Sequence, residues 1–103
     1  LSPKSWKKHS VNRELIRTPA FLRAIRRYLK KHPQAARPIE TALTLLARDA
    51  FDSRLKTHKL KGELDGVWAC SAGYDVRILF EFVEHEGSEA ILLLTLGTHD
   101  EVY

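Results

Sequence analysis

A chain of 103 residues and 11.8 kDa holds one modest core and no second domain. At 44% hydrophobic and 29% charged residues its composition is that of a soluble globular protein, and its longest largely apolar stretch, Ala90 to Leu96, falls far short of the roughly 20 residues of a membrane helix. A single cysteine, Cys70, excludes an internal disulfide and a CxxC zinc site, and no apolar stretch follows the lysine-rich start to make a signal peptide. These features predict a cytoplasmic protein with no cofactor, no metal and no membrane partner.

The net charge of +4 conceals a division. Residues 1–61 hold 16 of the 17 Lys and Arg residues and four acids, a net of +12, whereas residues 62–103 hold one base, Arg77, and nine acids, a net of −8. Such asymmetry fits a surface that faces nucleic acid or an acidic partner.

Residues 1–12 are polar and basic around Trp6 and read as an N-terminal extension, leaving 13–103 as the single domain. Arg13–Arg17 reads as a short first strand. Thr18-Pro19 is a helix start, a capping hydroxyl before proline at the first helical position. Phe21, Leu22, Ile25, Tyr28 and Leu29 then recur at helical spacing, with Arg23, Arg26, Arg27, Lys30 and Lys31 on the other side. His32-Pro33 ends this helix. A second helix, from Ala35 or Pro38 to Ala50, carries Ile39, Leu43, Leu46 and Ala50 on its apolar side, and the short connection favours an antiparallel helical hairpin.

Residues 51–66 form a polar connection rich in Arg54, Lys56, His58, Lys59 and Lys61, and a loop of that length in so small a domain is commonly functional. Strands are expected at Val67–Ser71, Tyr74–Val83 and Ala90–Leu96. Turns lie at Ala72-Gly73 and 84–88, Gly97 ends the last strand, and residues 98–103 follow as a tail. In the second strand Val76, Ile78, Phe80 and Phe82 alternate with Arg77, Leu79 and Glu81, so one face packs on helices. The third is apolar on both faces, which places it in the sheet interior. The order β-αα-βββ implies an α+β fold: an antiparallel β-sheet with a two-helix hairpin packed on one face.

No glycine-rich phosphate loop, GxSxG or HExxH motif is present, and the five histidines lack metal-ligand spacing. Cys70, in mid-strand, reads as a buried structural thiol. What remains is a set of polar residues at strand ends and edges: His58, Asp75, Arg77, His99 and Tyr103. Brought together they assemble two imidazoles, a guanidinium, a carboxylate and a phenol. That inventory suits attack of an RNA 2′-OH on its adjacent phosphate, which needs a base and an acid near neutral pH and positive charge for the phosphorane, without a metal. The structural alternatives are a cross-strand pair of Arg77 with Asp75 or Glu81, surface histidines at 58 and 99, and a terminal aromatic plug at Tyr103.

The segments His58-Lys59-Leu60-Lys61-Gly62, Tyr74 to Phe80 and Gly97-Thr98-His99-Asp100-Glu101-Val102-Tyr103, in the β-αα-βββ order, resemble the RelE/ParE superfamily of bacterial type II toxin–antitoxin toxins, nearest the YafQ-like branch, over Arg13 to Tyr103. The resemblance implies a ribosome-dependent mRNA endonuclease (an mRNA interferase) silenced by a cognate antitoxin, with the ribosome and mRNA as further partners. It implies proton transfer by His58 and His99, an active-site aspartate at Asp75, phosphate stabilisation by Arg77 and substrate contact by Tyr103. Arg54, Lys56, Lys59 and Lys61 are the expected RNA-binding cations. The chain departs from the branch in carrying serine at Ser71 near a second histidine, Val76 for a tryptophan and Thr95 for an arginine, so Arg77 replaces the missing cation from a neighbouring strand. Two other readings stay open: a non-enzymatic inhibitor of DNA gyrase, as in the ParE branch, or a homologue that has lost catalysis and only binds its antitoxin.

Overall fold

A computed structural model describes residues 12–62 and 65–103. The expected N-terminal extension therefore lies, apart from Asn12, outside the described residues. Strand β1 (Glu14–Arg17) leads into helix α1 (Pro19–Lys31); a 3₁₀ turn at Pro33–Ala35 joins it to helix α2 (Ala36–Arg48). A second 3₁₀ turn, Ser53–Leu55, precedes β2 (His58–Lys59), β3 (Trp68–Ala72), β4 (Val76–His85), β5 (Ser88–Thr98) and the one-turn helix α3 (His99–Val102). Among the described residues no helix is long and apolar enough to cross a membrane.

The strands form one sheet in the order β1-β5-β4-β3-β2. β2 to β5 are antiparallel neighbours, but β1 lies parallel to β5, Glu14 opposite Ala90 through Arg17 opposite Leu93. The sheet is thus mixed, a correction to the all-antiparallel expectation. A four-residue strand carries no local sign of its partner, and the helices between β1 and the later strands supply the long connection that parallel pairing needs.

Thr18 caps α1 as its sequence predicts: its Oγ1 accepts from Phe21 N at 3.0 Å and donates to Leu93 O at 2.8 Å, tying the helix start to β5. Both helices bury their apolar sides on one sheet face. Phe21 of α1 and Ile39, Leu43 and Leu46 of α2 meet Cys70, Ile78, Phe80, Ile91 and Leu93 of the sheet. A bulge shapes β5: Leu79 stands opposite Thr95 but Phe80 opposite Leu93, so Leu94 is the extra residue. Leu93 and Leu96 consequently both point to the helices while Leu94 joins the other face, which explains why this strand is apolar on both sides.

On that second face a small cluster of Val67, Ala69 and Leu79, with Leu60, Leu94 and Val102 against it, sits beneath α3. Two expectations are corrected here. Gly97 does not end the last strand, which runs on through Thr98, and the tail is a helix. Thr98 and Glu101 form a capping box: Oγ1 of Thr98 accepts from Glu101 N, and Glu101 Oε1 accepts from Thr98 N at 2.8 Å.

Candidate active site

Cross-strand register arranges the candidate residues on the face away from the helices. His58 stands opposite Ala69, which stands opposite Leu79, which faces Thr95. In the next row toward the chain end Ser71, Arg77 and Gly97 are neighbours across β3, β4 and β5. Gly97 is needed for what lies above it. A Cβ there would come within 2.9 Å of Glu101 Oε1 and 3.2 Å of Val102 Cγ1, so glycine lets α3 settle onto β5 without displacing these side chains.

That close seat returns Tyr103 to β2. The Tyr103 phenol lies 3.4 Å from His58 Nε2, and its ring sits edge-on to His99 with centroids 4.5 Å apart. His58 Nδ1 is 3.0 Å from Lys56 O, a carbonyl that only accepts, so the proton of the neutral ring resides on Nδ1 and the Nε2 lone pair faces Tyr103. The loop carrying His58 is held by Thr57 Oγ1, which donates to Ala50 O at the end of α2, and by Lys56 in a left-handed turn at φ +53°. His99 Nδ1 lies 3.6 Å from Asp100 Oδ1, an ion pair when the imidazole is protonated. Burial holds the Tyr103 phenol above its ordinary pKa, against the opposing charge of Arg77, so the group is a neutral donor at physiological pH.

Arg77 donates from Nη1 to Val76 O at 3.1 Å and Tyr74 O at 3.4 Å. It forms no ion pair with Asp75 or Glu81. Its charge reaches the Tyr103 phenol and, through the sheet, the Cys70 thiol, which burial pushes up to about 12. His58, His99 and Tyr103 therefore form one group of rings, and Arg77 stands opposite Gly97 in the sheet row beneath it. Asp75 stands apart from it: exposed in the β3–β4 turn, it makes no hydrogen bond or ion pair with a described residue, and its charge is felt by Tyr28 of α1.

The cations of the loop differ among themselves. Arg54 is spent on Asp52 through two side-chain bonds of 2.9 Å, which hold that carboxyl well down, at about 2. Lys59 Nζ lies 5.7 Å over the Trp68 ring, and Lys56 and Lys61 are exposed. Among the described residues no three His, Cys, Asp or Glu side chains cluster to hold a metal ion. Sequence reasoning missed two contributors, Gly97 and the helix it admits. The signal for the helix was legible in Thr98-His99-Asp100-Glu101, a threonine three residues ahead of a glutamate.

Residues 13–103 match the family model for the bacterial toxin of the type II toxin–antitoxin system, YafQ. No curated protein matches the chain significantly. Among solved structures, YafQ from E. coli superimposes with a TM-score of 0.71 at 14% identity, covering 89% of this chain and 99% of that one. The toxin in the E. coli DinJ–YafQ complex gives 0.71 at 16% identity over the same shares. A copper-bound toxin mutant from Helicobacter pylori gives 0.66 at 24% identity, covering 87% of this chain and 98% of that one. At these identities the structures share the fold.

Proposed function

The chain belongs to the YafQ family, toxins of bacterial type II toxin–antitoxin systems, and from that premise we propose that it is a metal-independent mRNA endonuclease acting on the ribosome. The observation that carries the reading is the meeting of His58 and His99 at Tyr103, above the sheet row in which Arg77 stands opposite Gly97, although His58 and Tyr103 are 45 positions apart in the chain.

His58, with its Nδ1 proton committed to Lys56 O, offers Nε2 as the base that takes the proton from the attacking 2′-OH. His99, beside Asp100, is the acid that protonates the leaving 5′-oxygen. Arg77 meets the phosphorane, where it stabilises charge that is greater in the transition state than in the substrate. The O2′–P bond forms, the P–O5′ bond breaks, and the strand ends in a 2′,3′-cyclic phosphate. Tyr103 stacks on a base of the substrate or donates to a phosphate oxygen. Lys56, Lys59 and Lys61 attract the phosphate backbone; Arg54, paired to Asp52, contributes less. Asp75, unattached to either histidine, acts on the site only through its field.

The antitoxin is the second partner. The DinJ–YafQ complex shows a toxin of this fold held by another protein. A cognate antitoxin here would cover the basic surface with acidic groups and obstruct the site.

Controlled expression tests the reading. The wild-type chain arrests growth, and His99→Ala and Arg77→Ala at equal expression do not. Purified protein leaves gyrase supercoiling unchanged. Toxicity that survives His99→Ala, together with inhibited supercoiling, would replace the endonuclease by a gyrase inhibitor.

A further inference from the structure

A cavity of about 440 Å³ opens where β1 stops covering β5, a size within the roughly 300–1,000 Å³ of small-ligand sites. β1 pairs with β5 only as far as Leu93, and Thr18 takes the Leu93 carbonyl before the chain turns into α1. Beyond that point the edge of β5 faces a groove. One wall is the end of α1, with Arg27, Tyr28, Lys31 and His32; Thr95 and Thr98 line β5; the other wall is α3, through Glu101 and Val102.

The lining is chemically specific. Arg27 and Lys31 lie one helical turn apart, are exposed, and make no ion pair or side-chain hydrogen bond with a described residue. Tyr28 and His32 form an adjoining ring pair, centroids 4.6 Å apart and planes inclined by 32°. The acid on the far wall, Glu101, is already engaged with the Thr98 amide at 2.8 Å. Helical rotation puts His99 and Tyr103 on one side of α3 and Glu101 on the opposite side. The groove and the candidate active site are therefore the two flanks of one turn of helix about 6 Å long.

We propose that this groove is a second nucleotide subsite for single-stranded RNA, with a phosphate on Arg27 and Lys31 and the neighbouring base against the Tyr28–His32 pair. The proposal deepens the endonuclease reading and rests on it for the substrate. A strand crossing α3 places one phosphodiester at His58, Arg77 and His99 and the next nucleotide in the groove. Two cations one turn apart match a single phosphate, and the ring pair offers a stacking face to any base. An acidic peptide uses the cations but not the rings, and a run of carboxylates would press on Glu101.

The test is binding of a fluorescent 2′-O-methyl RNA hexamer, which lacks the attacking hydroxyl and is not cut. Arg27→Glu with Lys31→Glu weakens binding at least tenfold and reduces the slope of log K against log salt by about 0.7, as expected when one phosphate of a single strand is no longer neutralised. Arg26→Glu with Lys30→Glu, the same charge change rotated about 100° around α1, weakens it less than threefold. His32→Ala weakens it severalfold and leaves the salt slope unchanged. No hexamer binding by the wild type, or equal losses for the two charge-reversed pairs, overturns the proposal. So does a groove that binds a glutamate-rich peptide while the hexamer ignores it. Cleavage in a translating extract separates the two readings. Groove-dependent binding without any cleavage keeps the subsite and removes the endonuclease; cleavage with hexamer binding indifferent to the groove pair does the reverse.

Discussion

Gly97 shows how one residue can hold a site together without touching substrate. Its missing side chain is the space that α3 occupies, and α3 carries both His99 and Tyr103. Gly97→Ala forces Glu101 and Val102 away from β5. Overpacking of this kind costs about 1–3 kcal/mol, and here the loss falls on the position of α3. The expected result is a modest drop in the urea midpoint with a disproportionate loss of RNA cleavage; equal, small effects on both would show that α3 tolerates the shift. Cys70, buried with its thiol raised to about 12, is expected to resist alkylation in the native protein and to react fully in denaturant. Fast native labelling would contradict its placement. For Asp52 the folded carboxyl lies below its unfolded value, so its contribution to stability is present above the ordinary carboxylate range near 3.9 and is lost as pH falls toward 2. Carboxyl NMR should record a midpoint near 2 in the wild type and a rise toward the ordinary range in Arg54→Ala, incomplete because the backbone N–H of residue 54 still donates to Asp52 Oδ1.

At the scale of the element, what could be read in advance followed from local rules. The bounds of α1 were legible because Thr18-Pro19 and His32-Pro33 are punctuation that acts within a few residues. Thr18→Ala removes the cap and the bond to Leu93 O, and a loss of about 1–2 kcal/mol by urea unfolding is expected, with RNA binding unchanged. The alternation Val76, Ile78, Phe80 likewise gave the buried face of β4, and with it the opposite face for Arg77. The bulge at Leu94 was not legible, since a stretch such as Ala90 to Leu96, apolar at six of seven positions, looks alike with or without a register shift. Nor was β2: His58 and Lys59 are strand only because Ala69 and Trp68 pair with them, and two residues have no periodicity. The helix α3 had a written signal in its capping box, overlooked because four residues fall below the length at which helical spacing shows.

Over the whole molecule, the separation of positive and negative halves was plain from the sequence, but its meaning is spatial. The basic half supplies β1, α1, α2 and the His58 loop with β2; the acidic half supplies β3 to β5 and α3. The proposed chemistry draws one residue from the first half and three from the second, and no local pattern announces that His58 meets Tyr103 across 45 positions. Asp75 illustrates the converse. It was legible as part of a motif, yet beyond the tight turn at Gly73, whose φ is +82° and where a Cβ would come within 3.2 Å of Pro38, it makes no hydrogen bond or ion pair with either histidine. Asp75→Asn is therefore expected to change cleavage by less than about tenfold, while His58→Ala and His99→Ala each cost about 10²–10⁴-fold.

The most direct test is RNA cleavage in a translating extract, with and without ribosomes, for the wild type and His99→Ala, with the cut ends mapped and examined for a 2′,3′-cyclic phosphate. Cuts within codons that need ribosomes, end in the cyclic phosphate and vanish in the variant are the predicted result. Folded wild-type protein that leaves every transcript intact, or a His99→Ala variant that cuts as well as the wild type, would contradict the account.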